Sequence, residues 1–293
     1  MADTTKGVPV KAKKSSEFKR VMKQLRKNKM AMIGMYILIV EIVLAIISPW
    51  IIPYSVTYMD LSNMFAGPSL QHLFGCDDMG RDIFSRILYG GRYSISIGLI
   101  AMVISNLFGM IVGAIAGFFG GWVDNLIMRI LDIVQAIPGM LLMVVLSAML
   151  GPGFFNTCIA MSVGGIPGAA RMLRAQLLKE RENEYVEAEY SINCSRARIV
   201  INHLIPNCLS PMIVSATMGV AITITMAAGL SFLGLGVQPP LPEWGAMLSA
   251  ARQFMRQAPH LILFPGAAIA ITVLSLNLLG DGLRDALDPK LMN

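Results

Sequence analysis

Charge is what this chain lacks most. Asp, Glu, Lys and Arg make up 14% of its 293 residues, against about 25% in an ordinary soluble domain. Hydrophobic residues reach 55%, which places the protein in a bilayer. Ser94 to Val123, Ile133 to Ala170 and Leu204 to Pro242 carry no charge at all, and each exceeds the roughly 20 apolar residues that span a membrane as a helix. The last two are too long for a single crossing. In the first of these, Gly151-Pro152-Gly153 supplies a break.

Enzymatic signatures are missing as well. No GxxxxGK[ST] loop is present to cradle the phosphates of a nucleotide. HExxH, GxSxG and paired histidines are also absent, so no catalytic residue is expected. Cys76, Cys158, Cys194 and Cys208 show neither CxxC spacing nor a neighbouring histidine cluster, which argues against a disulfide framework and a zinc site. No basic stripe with interleaved aromatics lies beyond the amino-terminal arm, so nucleic acid is not an expected partner. An ion-coupled secondary transporter or channel wants several ionisable groups at mid-membrane. Only Glu41 is so placed, and an external energy source is the better reading.

What the chain has in quantity is membrane-spanning length. Two further apolar runs, Met30 to Pro53 and Ala258 to Gly280, bring the expectation to six transmembrane helices, near 31–52, 94–119, 125–150, 155–171, 208–233 and 260–280. The first 29 residues hold ten Lys and Arg, and such an excess beside a first span marks the cytoplasm. Six crossings return the carboxy terminus to the same side. An all-α, polytopic fold follows, with a basic arm (1–29), a first span (30–53), an extracytoplasmic segment (54–92), a five-helix core (93–281) enclosing a cytoplasmic loop (172–206), and a tail (282–293). The basic arm also predicts contact with anionic membrane lipids.

Local patterns refine this. Residues 1–15 are small, polar and basic and are predicted to be disordered. Phe18, Val21, Met22 and Leu25 recur at helical spacing among cations, as in a helix lying on the membrane surface or one extending the first span. Ile83, Phe84, Ile87 and Leu88 oppose Arg81, Asp82 and Arg86 on a short amphipathic helix that Gly90-Gly91 would end. Gly109, Gly113 and Gly117 repeat every fourth residue, clearing one helix face for close approach of another. Gly164-Gly165-Ile166-Pro167-Gly168 would break the fourth span, either lining a translocation path or kinking the helix for packing. Three prolines between Val237 and Gly245 interrupt regular helix, and a short surface or re-entrant helix begins at Trp244, which suits a membrane interface. Glu41 serves either a hydrogen bond to a neighbouring helix or subunit, or transport.

The loop between the fourth and fifth spans is polar and predicted helical over 182–192. Glu184, Glu187 and Glu189 would face solvent, with Ala188 small enough to fit under a partner's groove. Tyr185 and Ser195 belong to the same segment, and Pro206 restarts the chain toward the membrane. This loop resembles the signature of permeases of ABC importers, Glu-Ala-Ala, three residues, Gly, then Ile/Leu-Pro. Glu187-Ala188-Glu189, Asn193 and Leu204-Ile205-Pro206 stand at those positions, with Glu189 and Asn193 as departures. Asparagine still tolerates the positive φ that glycine often supplies. Phe74–Asp82, Gly120–Asp124, Ala136-Ile137-Pro138, Leu230–Pro240 and Asn277–Pro289 resemble the dipeptide, oligopeptide and nickel group, in the form of its second permease.

The resemblance implies a type I importer permease in the plasma or inner membrane of a prokaryote. It implies a heterodimer with a sister permease, two cytoplasmic ATPase subunits that hold ATP and Mg, and an extracytoplasmic substrate-binding protein. No cofactor is expected on this chain. Peptides would be the cargo, with nickel or another small solute as the alternative, and Glu184 to Ser195 would be the coupling helix.

Overall fold

A computed structural model describes residues 14–287; the arm before Lys14 and the tail after Leu287, with the end of the Asn277–Pro289 motif, lie outside the described residues. Helix dominates the described residues, and an isolated bridge between Cys76 and Asp82 is the β pairing among them.

Eleven α-helices are described: α1 Lys14–Leu25, α2 Lys29–Ile51, α3 Ile83–Phe119, α4 Gly121–Ala136, α5 Gly139–Leu150, α6 Phe154–Glu180, α7 Glu184–Ser191, α8 Arg196–Ile199, α9 Ile205–Phe232, α10 Trp244–Ala251 and α11 His260–Leu287. Their ends follow local chemistry. The Asn28 side chain accepts the Ala31 N–H to start α2, and Asp82 accepts the Ser85 N–H to start α3. Gly120, at φ +63°, stops α3. Pro138 holds Ile137 in an extended conformation, because its ring disfavours helix at the preceding residue. Consequently α4 and α5 meet at an 86° bend. From Arg196 to Phe232 the chain is continuous helix, passing through a π-helical turn at Val200–Leu204.

Four helical stretches are long and apolar enough to cross a membrane (α2, α3, 196–232 and α11), or five if the bent α4–α5 pair counts as one span. Large hydrophobic side chains on α2 point away from the protein, among them Tyr36, Ile39, Val43 and Ile46. An outward apolar face of this kind suits lipid rather than water.

The most extensive pairing is between α3 and α6, while α11 packs on both α2 and α9, and α9 packs against α3. Ile97, Ala101, Cys158, Met161, Ala227 and Leu230 form a core where α3, α6 and α9 meet. A second core, under the loop that follows α6, gathers Leu173, Leu177, Val186, Ile199, Leu204 and Cys208. Helix α1 spends its apolar residues on protein: Val21, Met22 and Leu25 pack around Ala31 and Ala286.

Four expectations need correction. Gly90-Gly91 does not end a helix, because α3 runs unbroken from Ile83. Instead, the missing side chains admit the Pro242 carbonyl at Gly90 and the Trp244 ring, 3.1 Å from a Cβ at Gly91. Trp244 is accordingly buried rather than interfacial, its Nε1–H donating to the Ile87 carbonyl at 3.0 Å. The span expected as one helix over 125–150 is two helices. Gly164-Gly165-Ile166-Pro167-Gly168 remains inside α6 without a break. Flank packing explains this: a Cβ at Gly165 would meet Ser105 and one at Gly164 would meet Met143, so α3 and α5 hold this part of α6 on two sides.

Candidate functional site

The seam between α3 and α6 is built from small residues. A Cβ on Gly109 would lie 3.0 Å from the Ile166 carbonyl oxygen and collide with Ala169. One on Gly113 would collide with the Ala170 backbone, and one on Gly117 would come within 3.1 Å of Leu177 Cδ1. The Ser105 hydroxyl donates to the Ser162 carbonyl at 2.7 Å across the same seam. Backbone is thus in contact with backbone along this seam. Arg174 of α6 makes a two-pronged hydrogen bond to Asp124 in the first turn of α4, and Arg171 reaches Asp132 at 2.7 Å. These pairs tie α4 to the same unit.

From the end of α6 the chain enters α7, and the sequence explains how this short helix stands. Val186 is buried among Leu173, Leu177 and Leu204, which pins one side. The Tyr185 hydroxyl donates to Glu180 at 3.0 Å and receives the Asn207 amide at 3.2 Å, joining α6, α7 and α9. Opposite that anchor, Glu184, Glu187 and Ala188 are exposed. The end of α7 is closed by Asn193 at φ +62°. The Cys194 N–H bonds back to the Glu189 carbonyl at 3.0 Å, the six-to-one bond of a left-handed helix cap. Ile192, beside it, is 78% exposed.

Glu189 departs from the expectation of a solvent-facing residue. Its carboxylate lies 3.0 Å from His203 Nδ1, mostly covered, so it braces α7 against the π-helical turn. The periodicity that put Glu184 and Glu187 outward held for those two only, because the chain folds back beside Glu189. Ser195 precedes α8 without a side-chain cap bond. Pro206 is the second residue of α9, which continues the helix from Arg196 rather than restarting a separate segment. It stands inside the continuous helix from Arg196, directly after the π-helical turn, where its missing N–H leaves one rung of the ladder unmade.

At the other end of the molecule the charges expected on a polar face are buried instead. Asp77 is the hub: its Oδ1 accepts the Met79 and Arg81 N–H groups, both at 2.9 Å, and its Oδ2 takes Arg81 Nε at 2.7 Å. Arg86 Nε lies 3.6 Å from the same oxygen, and its Nη1 donates to the Val56 carbonyl at 2.7 Å. Asp82 meets His72 Nδ1 at 2.9 Å. Burial, then the neighbouring Asp77 charge, raises the Asp78 carboxyl above its usual range. Glu243 is 98% buried and caps α10 through the Gly245 and Ala246 N–H groups, while accepting the Ser94 hydroxyl of α3 at 3.0 Å. Sequence reasoning missed Glu243; its place just before a helix, after three prolines, was the available signal.

Glu41 borders a cavity of about 340 Å³ lined by Phe74, Ile87, Trp244 and Phe264. Its Oε2 is buried, with no hydrogen-bond partner among the described residues. No group of three His, Cys, Asp or Glu side chains among the described residues is arranged to hold a metal ion.

Comparison with known proteins places these features in a family. Residues 105–293 match the family described as binding-protein-dependent transport system inner membrane component, and residues 16–68 match the N-terminal TM domain of oligopeptide transport permease C. The dipeptide transport system permease protein DppC of Alkalihalophilus pseudofirmus is 45% identical over 94% of this chain and 91% of its own length. The glutathione transport system permease protein GsiD of Escherichia coli (strain 536) is 47% identical over 92% of this chain and 89% of its own. Among solved structures, an inward-facing MetNI methionine ABC transporter overlays with a TM-score of 0.58 at 18% identity, covering 69% of this chain and 96% of that one. An amino acid ABC transporter gives 0.54 at 12% identity, covering 68% and 92%. At such identities the overlay concerns the fold.

Proposed function

The chain belongs to the binding-protein-dependent transport inner membrane components as an ABC importer permease of the dipeptide and oligopeptide type, and from that premise we propose that α7 couples it to a separate ATPase during peptide import. Peptides are the cargo, since relatives named for dipeptide and glutathione transport align over nearly the whole chain. Partners would be a sister permease, two ATPase subunits that bind ATP and Mg, and an extracytoplasmic binding protein. Six crossings complete the topology if α4–α5 is one bent span and α6 another. At about 1.5 Å per residue, the 27 residues of α6 reach about 40 Å. Both termini, α7 and the loop 181–195 then face the cytoplasm.

One observation carries the coupling reading. Helix α7 offers Glu184, Glu187 and Ala188 to a partner while Val186 and Tyr185 fix its other side to α6 and α9. A push on such a handle passes into two long helices without bending a loop. Because α6 is locked to α3 and α4, these elements would follow as a body, the rigid-element motion by which alternating access is achieved. The exposed carboxylates would meet basic groups on the ATPase.

Deleting residues 184–195 is expected to abolish ATP-driven peptide uptake in proteoliposomes while the chain still inserts. Glu187→Arg, which spares the buried anchor, should lower uptake at least tenfold without changing membrane yield. Uptake at the parent rate by both variants would remove coupling from α7.

A further inference from the structure

We propose that a cavity at the α7 end of the molecule, between α1, α6, α9 and α11, binds the phosphate-bearing headgroup of an anionic phospholipid. The cavity measures about 770 Å³, large enough for a glycerophosphate group and small enough to be selective. Its walls come from four helices that are remote in sequence. Arg20 enters from α1, Lys179 from α6 and Arg284 from α11, with Glu180 as the acidic group in the lining.

None of the three cations has an ion pair or hydrogen bond among the described residues, whereas Glu180 is occupied by Tyr185 and Asn183. Within α6 the two preceding basic groups are paired: Arg171 and Arg174, roughly two turns and one turn before Lys179, both hold aspartates. Three unmatched positive charges around one concavity repel each other, and a low-dielectric wall focuses their field on an incoming anion. The Ser210 and Ser215 hydroxyls, also unengaged among the described residues, supply donors from α9.

The same lining favours a lipid over a soluble anion. Val21, Val214, Met218 and Leu287 contribute apolar surface beside the cations, as an amphiphile with a charged head and a greasy stem requires. Geometry also holds the site open. Helix α1 is fastened to α11 by Leu25 and Met22, so Arg20 stays over the cavity rather than swinging into solution. Basic pockets between helices on the cytoplasmic side suit anionic headgroups in general. The proposal rests on the reading that this end faces the inner leaflet.

The test uses the full-length chain extracted from membranes of defined phosphatidylglycerol and phosphatidylethanolamine content, with co-purified lipid counted by mass spectrometry. Phosphatidylglycerol is expected to be retained above its bulk fraction, and Lys179→Gln and Arg284→Gln should each lower that enrichment about fivefold. Arg20→Gln, on the exposed side of α1, should do the same, and covers the case in which a core-helix variant fails to fold. Arg256→Gln, just before α11 at its other end, should leave retention as in the parent. Equal retention by all the cavity variants would overturn the proposal. Displacement of the enrichment by millimolar inorganic phosphate would overturn the lipid as the source of the anion. Uptake is not part of the readout, so failure of the importer reading would show separately.

Discussion

The two ends of this molecule handle charge in opposite ways. Beside the start of α3, Asp77, Arg81, Asp82, Arg86 and Glu243 are buried and bonded to one another or to backbone. Around α7, Glu184, Glu187, Arg181, Arg196 and Arg198 are exposed and make no ion pair among the described residues. A buried, mutually satisfied set of charges fixes one geometry and leaves nothing for a partner. An exposed and unpaired set contributes little to stability but remains free to be read by another protein. The first end is therefore a lock and the second a handle, and the glycine-lined seam of α3 with α6 joins them.

The largest effect should come from the lock. Asp77→Ala leaves Arg86 buried without a carboxylate and Arg81 with only Asp78, 3.5 Å away, and guanidinium cannot discharge itself. A loss of about 3–5 kcal/mol is expected, seen as a sharply lower thermal midpoint in detergent and reduced membrane yield. Arg81→Met should cost less, because Asp77 keeps Arg86 and the backbone N–H groups of residues 79 and 81. If the order were reversed, Asp77 would not be the hub. A Glu184→Gln control at the handle should fall within about 0.5 kcal/mol of the parent; a large loss there would erase the distinction between the ends.

Next comes the seam. Gly113→Leu places a side chain against the Ala170 backbone, which cannot yield as a rotamer can, so α3 and α6 must separate at about 1–3 kcal/mol or more. Gly117→Ala meets only the Leu177 side chain, whose tightest atom is the terminal Cδ1, and should be milder. Yield and thermal midpoint decide it; unchanged values for Gly113→Leu would show that the two helices are not held at the distance described.

How much of this was legible beforehand depends on which force decides each feature. Apolar runs and the glycine repeat are local, so the long apolar helices α2, α3, α9 and α11 and the Gly109, Gly113 and Gly117 face could be read directly. The bend was legible as chemistry but assigned to the wrong place: Pro138 and Pro167 look alike in sequence, yet only the former sits where no flanking helix keeps the chain helical. The buried arginines were misread because an amphipathic pattern reports what could face water, not what a loop later covers. Val56 and the segment around Asp77 supply that cover from outside the helix. Glu189 failed likewise, since its partner His203 is brought over by a π-helical turn that no periodicity announces.

The smallest expected effect tests the handle from within. Asn193 stands at φ +62°, a conformation that costs most L-residues about 1–2 kcal/mol and glycine nothing, with asparagine tolerating it better than most. Asn193→Gly should therefore preserve uptake, and should slow amide exchange at Cys194 slightly if the cap tightens. Asn193→Val carries a β-branched side chain that this backbone disfavours; it should fray the end of α7, speed exchange at Cys194 by about tenfold and lower uptake while leaving the global thermal midpoint almost unchanged, because the strain can be released by local opening. Should valine instead move the global midpoint as far as Asp77→Ala does, the Asn193 cap would help hold the whole fold rather than the end of α7 alone, and the contrast between lock and handle would have to be given up.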